Sequence, residues 1–311
     1  MSGWPIAPLG SVVRFISGGT PSKDEKRFWE GDIPWVSSAE MTQRWISDTR
    51  LRVTEAGAIE GSKRVPKNTV LVVVRGMSLA KEFRVSISQR DVTFNQDVKA
   101  VLPSKVIDPV FLFFYLLSQS NAIRDSASEA AHGTKKLDMP VLEQWPIPLP
   151  PLSTQQKIAA ILSAYDDLIA NNQRRITLLE RMAEDIYREW FVRLRFPGHE
   201  PSKRTPSSWT FAELGTVCTI LKRGISPNYS ELQSTLVINQ RCIRAGFVDL
   251  AEARAHDTKV PAEKTLQYGD VLINSTGVGT LGRVAVFDLE MANLTCDTHV
   301  TICRAKSEHR R

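Results

Sequence analysis

The most regular alternation of apolar and polar positions lies between residues 153 and 195. From Ile158 onward, apolar side chains recur at alternating steps of four and three, which is the heptad repeat of a helix that pairs with another helix. The positions of this repeat are Ile158, Leu162, Tyr165, Ile169, Asn172, Ile176, Leu179, Ala183, Ile186 and Trp190. Charged residues occupy the other faces, which a helix buried all round would not carry. The pattern therefore predicts a long helix over residues 153–195 that needs a partner helix along one seam.

Residues at both ends of this helix set its predicted limits. Ser153 and Gln156 have the spacing of a capping box, in which each side chain satisfies a free backbone N–H of the other residue. Pro197 and Gly198 end a helix, because proline lacks an N–H donor and glycine leaves the backbone unconstrained. About 40 residues at about 1.5 Å each give a rod roughly 60 Å long. We expect this rod to connect separate domains, and the alternative is a long core helix inside one globule.

The residues before the rod predict a mixed domain of strands and helices, residues 1–152, in which strands are the more frequent. The β-branched run at residues 69–74 is typical of a buried strand, and residues 84–88 and 98–102 predict further strands. The apolar run at residues 109–119 predicts a helix. The domain is therefore expected to be α+β.

The residues after the rod repeat the pattern of the residues before it. Seven pairs of residues recur in the same order at a nearly constant spacing, which indicates a tandem duplication. The pairs are Trp4 and Trp209, Leu9 and Leu214, Gly10 and Gly215, Val12 and Val217, Gly19 and Gly224, Gly76 and Gly277, and Asn95 and Asp297. We therefore predict a linker over residues 196–208 and a second, related domain over residues 209–311. This second copy is expected to be incomplete, without a distal helix, a closing strand or a second rod.

Composition narrows the class of protein. The chain is 42% hydrophobic and 24% charged, which is ordinary for a globular protein. Its longest apolar runs are too short to cross a bilayer and it opens without a signal segment, so a cytoplasmic protein is expected. The net charge of +6 is compatible with a polyanionic partner but does not require one. The four cysteines and five histidines have no zinc-ligand spacing, which favours buried thiols over a metal site.

One glycine-rich stretch imitates a nucleotide-binding motif. Residues 277–282 fit the dinucleotide pattern GxGxxG, but that motif needs a following helix whose N-terminus holds the pyrophosphate. Residues 283–287 predict a strand instead, so the glycines are expected in a hairpin or a bulge. The sequence contains no base-methylation motif, Walker loop, serine elbow or HExxH motif. We therefore predict a non-catalytic protein that recognises and positions a partner.

Four short motifs resemble those of one family. They are Gly133-Thr134-Lys135-Lys136-Leu137, the proline-rich Trp145-Pro146-Ile147-Pro148-Leu149-Pro150-Pro151-Leu152 with Gln155 and Ile158, Trp35-Val36-Ser37, and residues 270–283. Together with the duplication and the rod, they resemble the specificity subunit of type I restriction-modification enzymes. The resemblance covers nearly the whole chain and departs from the family at the C-terminus, where the second target-recognition domain is incomplete.

The resemblance implies a fold and a function. It implies an α+β fold of two related strand-rich target-recognition domains joined by a long coiled-coil-type helix. Each domain would read one half of a bipartite DNA target, while the paired helices set the gap and dock modification subunits. The implied partners are double-stranded DNA, modification (methyltransferase) subunits, the restriction subunit and a second copy paired through the helix, with no membrane. S-adenosylmethionine and ATP would belong to the partner subunits, and no cofactor to this chain.

The candidate DNA-binding residues are polar and basic side chains at predicted strand ends and in glycine loops. Arg75 and Arg84 are expected to hold phosphates or read guanine, and Asn95 and Gln96 to read adenine edges. The alternative is that Asn95, Gln96 and Asp97 only close a tight turn. The full set is Thr20, Ser37, Ser38, Arg75, Lys81, Arg84, Asn95, Gln96, Lys135 and Lys136.

Two other interpretations of the whole chain remain open. The first is a coiled-coil assembly module, or a truncated remnant subunit, that does not bind DNA. The second is a recognition domain from a fused restriction-methylation enzyme, against which stands the missing methylation motif. Under the main interpretation, a shortened subunit that dimerises through its rod would read a palindromic target.

Overall fold

Short strands are the most numerous elements in both halves of the chain. The computed structural model describes residues 3–130, 133–199, 205–207, 209–230, 235–257 and 259–309. Residues 200–204 and 208, which belong to the predicted linker, lie outside the described residues. The chain divides into two compact units, residues 1–186 and residues 187–311.

The first unit contains the long helix and most of the strands. Its helices are α1 (Glu55–Glu60), α2 (Met77–Lys81), α3 (Pro109–Ser118), α4 (Ser120–Asp125), α5 (Met139–Glu143) and α6 (Leu152–Tyr187, whose last residue falls in the second unit). Its strands are β1 (Ile6–Pro8), β2 (Val13–Ser17), β3 (Trp29–Val36), β4 (Trp45–Ile46), β5 (Arg52–Val53), β6 (Arg64–Val65), β7 (Val70–Val73), β8 (Arg75–Gly76), β9 (Val85–Ser88), β10 (Val92–Phe94), β11 (Val98–Pro103), β12 (Ser128–Glu129), β13 (Lys135–Lys136) and β14 (Pro146–Pro148).

Two sheets and one apolar helix form the core of the first unit. The sheets have the strand orders β2-β11-β7-β9-β4 and β5-β3-β10-β6. All four residues of β7 are buried, because this strand lies between two neighbours and both of its faces are covered. The helix α3 packs Phe111, Phe113 and Leu116 against the five-stranded sheet, while residues of the four-stranded sheet form a separate cluster with Leu71 and Val73. The carboxylate of Asp108 caps the N-terminus of α3. The strands and the helix predicted for this region are therefore confirmed.

Among the residues that the structure describes, the second unit has nine strands and one short α-helix of its own, besides a π-helical turn and short 3-10 helices. The helix is α7 (Leu214–Val217). The strands are β15 (Cys218–Arg223), β16 (Thr235–Ile238), β17 (Ile243–Arg244), β18 (Phe247–Val248), β19 (Arg254–His256), β20 (Val271–Asn274), β21 (Val284–Val286), β22 (Leu294–Cys296) and β23 (Val300–Ala305). Its sheets have the orders β15-β23-β20-β21, β19-β16-β22 and β17-β18.

The two units share one topology. The order β2-β11-β7-β9 in the first unit corresponds to β15-β23-β20-β21 in the second. In each unit a parallel pair of strands continues the pattern, with Phe94 opposite Val36 and Cys296 opposite Ile238. The predicted fold class, two related strand-rich α+β units and one long helix, is therefore confirmed.

The structure corrects one pair of the sequence repeat. A Cβ atom on Gly18 would lie 2.2 Å from the carbonyl oxygen of Phe94, and one on Gly224 would lie 1.9 Å from that of Cys296. Phe94 and Cys296 are equivalent, so Gly224 corresponds to Gly18 and not to Gly19. Each glycine is required because the backbone passes too close to the neighbouring strand for any side chain.

The long helix differs from its prediction at both ends. It begins at Leu152, so Ser153 lies inside the first turn and the predicted capping box does not form. The N–H groups of Thr154 and Gln155 donate to the carbonyl of Pro151 instead. At the other end the α-helix stops at Tyr187 rather than at residue 195, and a π-helical turn, Arg188–Val192, follows it.

Aromatic stacking follows the end of the helix. The ring of Phe196 stacks on Trp209 at 5.5 Å between centroids and on His199 at 4.7 Å. The ring of Phe191 also stacks on Trp209, at 5.8 Å between centroids. Leu194 adopts a left-handed conformation with φ of 57°, which turns the chain out of the helix before Pro197 is reached. The stop therefore comes from tertiary aromatic packing as well as from proline.

The four cysteines are free and buried, as their spacing predicted. The Sγ atoms of Cys218 and Cys303 lie 3.2 Å apart on neighbouring strands. Burial raises the pKa of Cys303 to about 11 and also raises the pKa of Cys242. Protonated thiols of this kind act as small apolar groups in the core of the second unit.

A buried ion pair distinguishes the second unit from the first. Arg304 on β23 donates to both carboxylate oxygens of Asp270, at 2.8 and 2.6 Å, and both side chains are almost fully enclosed. The guanidinium also donates to the carbonyl of Thr265. At the equivalent positions the first unit has Leu102 and Thr69, which form no ion pair. The same fold therefore tolerates a charged and an uncharged pair at this point.

We expect the variant Arg304→Leu to destabilise the second unit by about 3–5 kcal/mol, because it leaves a buried carboxylate without the guanidinium that neutralises it. Differential scanning calorimetry of the full chain measures this as a lower unfolding temperature. The double variant Arg304→Leu with Asp270→Thr copies the first unit and is the matched control, expected to regain most of the loss. If Arg304→Leu unfolds at the same temperature as the unmodified chain, the buried ion pair does not stabilise the second unit.

Candidate nucleic-acid interface

The polar and basic residues predicted for the first unit lie at one edge, where several strands end. Ser37 follows the end of β3, Arg75 follows β7 and Asn95 follows β10. Hydrogen bonds between backbone groups hold these ends together, from Asn95 N to the carbonyl of Val36 and from Val74 N to that of Asp97. Residues distant in sequence therefore form one continuous edge.

The basic residues are concentrated on one part of this edge. Strand β13 pairs with β8, which places Lys136 opposite Arg75 and Lys135 opposite Gly76. Lys81 ends the short helix that follows β8 and is exposed. Among the described residues, Lys136 is the one of these cations that forms an ion pair, since its Nζ lies 2.9 Å from Asp138. The structure thus brings Arg75, Lys81 and the two lysines together.

Arg84 has a different environment. Its guanidinium donates to the carbonyl of Ser38 at 2.8 Å and lies 3.4 Å from Glu82, and the side chain is only 22% exposed. It therefore fastens the loop after β3 to the start of β9. Ser37 and Ser38 are half-buried in the same loop.

The turn after β10 contains two of the predicted residues, Asn95 and Gln96, and contacts a third, Thr20. The hydroxyl of Thr20 donates to Oε1 of Gln96 at 2.6 Å, and both side chains are exposed. Asn95 is buried, and its Nδ2 lies 3.4 Å from a carboxylate oxygen of Asp97. Val98 N donates to the carbonyl of Asn95, which closes a tight turn. Asn95 therefore belongs to the turn, as the alternative interpretation requires, and Gln96 is the exposed member of the pair.

The second unit has an equivalent edge that the sequence reasoning missed. Asn239 and Gln240 follow β16 where Ser37 and Ser38 follow β3, and Asp297 and His299 occupy the positions of Asn95 and Asp97. These side chains line a polar cavity of about 370 Å³. The other side chains that line it include Tyr229, Arg241, Glu252 and Arg254. The signal in the sequence that pointed to this site was the alignment of Asp297 with Asn95 in the repeat.

Ion pairs and ring contacts organise this cavity. The guanidinium of Arg254 lies 3.7 Å from the ring centroid of Tyr229, and that of Arg241 lies 3.0 Å from the carboxylate of Glu252. Burial raises the pKa of Asp297, although the backbone N–H and the ring of His299 act in the opposite direction. Nδ1 of His299 lies 2.6 Å from the hydroxyl of Thr276. The cavity therefore offers donors and acceptors side by side.

The glycine-rich stretch forms a turn and not a nucleotide site. Residues 277–282 connect β20 to β21, which pair in antiparallel fashion, so no helix follows the glycines. The carbonyl of Asn274 accepts from Gly282 N, and that of Gly277 accepts from Leu281 N. The predicted hairpin is confirmed.

The long helix has two different surfaces along its length. Ala159 is buried and Ile158 is half-buried against the core of the first unit, so this first residue of the predicted seam is occupied by its own domain. Every residue from 167 to 188 is exposed. The remaining predicted pairing residues, Leu162, Tyr165, Ile169, Asn172, Ile176, Leu179, Ala183, Ile186 and Trp190, are exposed as well.

Two contacts that the sequence did not indicate hold the start of the helix to the first unit. The buried Gln155 accepts from Asp108 N and donates to the carbonyls of Val106 and Pro150. Further along, the carboxylate of Asp166 accepts from Arg44 at 2.6 Å and from the indole of Trp45 at 3.1 Å. The helix is therefore fixed to the unit up to Asp166 and exposed beyond it.

Neither a metal site nor a membrane helix is found among the described residues. No group of three or more His, Cys, Asp or Glu side chains there is placed to hold a metal ion. The described helices also include none that is long and apolar enough to cross a membrane.

Comparison with known proteins identifies the family. A family model described as "Type I restriction modification DNA specificity domain" matches residues 1–181, which is more than half of the chain. The chain belongs to this family. The match includes the edge of the first unit and most of the long helix.

Two curated relatives are themselves named specificity subunits. The chain is 27% identical over 230 residues to the specificity subunit of type I restriction enzyme MjaIX from Methanocaldococcus jannaschii, covering 70% of this chain and 52% of that protein. It is 32% identical over 162 residues to the EcoR124I/EcoR124II specificity subunit from Escherichia coli, covering 51% of this chain and 40% of that protein. The chain thus spans about half the length of the relatives it matches.

A solved structure supports the fold. The crystal structure of a type I restriction-modification system S subunit from M. genitalium matches 98% of this chain and 74% of its own chain. The TM-score is 0.56 at 16% sequence identity, so this likeness concerns the fold alone.

We expect Asp166→Ala to loosen the helix from the first unit, because the variant removes the acceptor of both Arg44 and Trp45. The local free energy of opening should fall by about 1–2 kcal/mol. The loss is no larger because Arg44 is half exposed, so solvent screens its ion pair with Asp166. Hydrogen–deuterium exchange of the peptide around residue 166 measures this change. The exposed neighbour Asp167→Ala is the control, and equal exchange in the two variants would contradict the assignment.

Proposed function

We propose that this chain is the sequence-specific DNA-binding subunit of a type I restriction-modification complex. The observation that carries the proposal is the repeated strand-end edge, which displays polar and basic side chains in both units of a chain that belongs to the specificity family. Two related readers suit a bipartite target, with one half-site for each unit. Membership of the family, whose curated members here are named specificity subunits, supports this assignment.

The chemistry of the two edges suits DNA. Arg75, Lys81 and Lys136 offer cations for phosphates, and Gln96 and Gln240 offer amides of the kind that pair with adenine. The net charge of +6 agrees with an electrostatic contribution to binding. Catalysis, S-adenosylmethionine and ATP belong, on this proposal, to the modification and restriction subunits, and this chain takes no cofactor.

The long helix is the docking and spacing element of the proposal. Its apolar stripe is exposed from Leu162 to Ile186, and contiguous exposed apolar surface of this kind marks an interaction site. A second helix, from another copy of this chain, would cover the stripe and hold two readers at a set distance. Modification subunits would dock on the resulting helix pair.

A coiled-coil assembly module that does not bind DNA is the second candidate. The exposed stripe on α6 fits this function equally well, but the repeated basic and amide-bearing edges would then have no role. Binding to duplex DNA separates the two candidates.

We expect duplex binding that weakens steeply as salt rises, by about 10³-fold or more between 50 and 200 mM if six or more phosphates are contacted. The measurement uses the chain assembled with its modification subunits and a duplex that contains the target found by methylome mapping. Arg75→Ala should weaken binding to every duplex and reduce the salt slope by about one. Lys105→Ala, at the opposite end of β11, is the control and should change neither. A flat salt response with no preference between duplexes would refute the proposed function.

The pairing of helices has its own test. We expect Ile176→Glu with Leu179→Glu to convert a dimer of this chain to a monomer, because two charges would be buried in the seam. Sedimentation equilibrium gives the mass. Ala170→Glu with Thr177→Glu adds the same charges to the polar face and should leave the dimer intact. The same mass for the first variant and the unmodified chain would exclude pairing through this seam.

A further inference from the structure

One exposed apolar residue occupies the same position in both units. Gly76 and Gly277 follow the equivalent strands β7 and β20, and both adopt left-handed conformations, with φ of 124° and 112°. The next residue is Met77 in the first unit, 73% exposed, and Val278 in the second, 105% exposed. Single exposed apolar residues are common and need no role. Their recurrence at an equivalent position, with different side chains, is what requires an explanation.

Hydrogen bonds hold the turn that carries Val278. Nδ2 of Asn274 donates to the carbonyl of Thr280 at 3.1 Å and to that of Gln240 at 2.9 Å. These bonds join the turn to the polar residues that follow β16. The backbone N–H of Leu281 donates to the carbonyl of Gly277 and closes the turn. Val278 therefore lies on a hydrogen-bonded turn that is joined to the candidate interface through Gln240.

Met77 is held by different means. It begins α2, which is anchored by Leu79, a fully buried residue of the core. The preceding strand β8 pairs with β13, and Leu137 N donates to the carbonyl of Val74 at 2.8 Å. Two unrelated local structures therefore present an apolar side chain at one position of the shared fold.

Cations lie on the elements that adjoin each apolar residue. Arg75 lies on the strand that precedes Met77, Lys81 on the same helix as Met77, and Lys136 opposite Arg75 on the neighbouring strand. In the second unit, Thr280 and Arg283, which follow Val278 closely in the chain, line a groove of about 510 Å³ together with Arg241, Arg244 and Ala245. The guanidinium of Arg283 donates to the carbonyl of Gly279 at 3.0 Å, which places it at the turn itself. An apolar side chain between cations matches a ligand that has both anionic and apolar groups. Duplex DNA has both, because cations contact its phosphates and its base edges include apolar groups.

We propose that Met77 and Val278 are specificity-determining residues that contact the 5-methyl group of thymine in the major groove, one in each half-site. The inference rests on the proposed function and names a base that each unit reads. The thymine methyl is the apolar group that base edges display in the major groove. The surrounding arginines and lysines hold the phosphates on either side, and Gln96 and Gln240 at the same edges suit neighbouring base edges.

Replacement of thymine by uracil tests this contact, because uracil lacks only the methyl group. The full chain, assembled with its modification subunits, is titrated with duplexes in which each thymine of the methylome-defined target is replaced in turn. We expect one replacement in each half-site to weaken binding about fourfold, the value of one buried methyl-sized group. Met77→Ala should abolish the effect in one half-site only, and Val278→Ala in the other only. Each variant is thus the control for the other.

An exposed residue elsewhere in the first unit provides a further control. Ile59 on α1 is 76% exposed, and Ile59→Ala should leave both uracil effects unchanged. All three positions are exposed, so the variants are expected to fold.

The outcomes separate this inference from the proposed function. If binding prefers the target but ignores every uracil, or if a half-site has no thymine on either strand, the inference is overturned and the function stands. Absence of any preference between duplexes overturns both. An apolar wedge between base steps is the other use of such residues. In that case Met77→Ala and Val278→Ala would weaken binding to thymine and uracil duplexes equally and reduce DNA bending, which also overturns the inference.

Discussion

An apolar stripe exposed along the long helix is the constraint on which the rest of the molecule depends. Burying such side chains is worth roughly 25 cal/mol for each Å² removed from water, so a stripe of this length favours association with another helix. The first unit covers the helix only near its start, where Gln155 and Asp166 hold it. From residue 167 to residue 188 every side chain is exposed. The helix is fixed to the first unit near its start and exposes its apolar stripe beyond it. This arrangement suits an element that pairs with a second helix and sets the distance between two units.

The two units share one strand order but carry different side chains at the edge where the strands end. In both, a glycine passes so close to a neighbouring strand that any Cβ would overlap a carbonyl oxygen, which fixes the frame. The side chains at the strand ends are free to differ, as Asn95 and Asp297 do. Even the interior differs, because Arg304 and Asp270 form an ion pair where the first unit has uncharged residues. A frame defined by backbone contacts can therefore change its recognition chemistry without changing its strand order.

Local sequence patterns predicted helices and strands well where a single run of residues determines the secondary structure. The β-branched run of β7 and the apolar run of α3 are as expected, and the strand after Gly282 excluded a nucleotide site. Prediction was less successful where two signals competed. Ser153 and Gln156 have the spacing of a capping box, but Gln155 is drawn into the domain by three hydrogen bonds and the helix begins earlier. Aromatic stacking on Trp209 accompanies a helix end earlier than Pro197 alone predicted.

The sequence by itself determined the helix with its apolar seam, the strand-rich class and the existence of a repeat, because periodicity and glycine spacing are local properties of the chain. Only the tertiary structure decided which glycine of the first unit corresponds to Gly224, which residues form the edge of the second unit, and where the helix leaves its domain. Those features depend on backbone contacts between segments far apart in sequence. Asp166 illustrates the difference, since nothing around it in the chain distinguishes it from Asp167, and only the positions of Arg44 and Trp45 do.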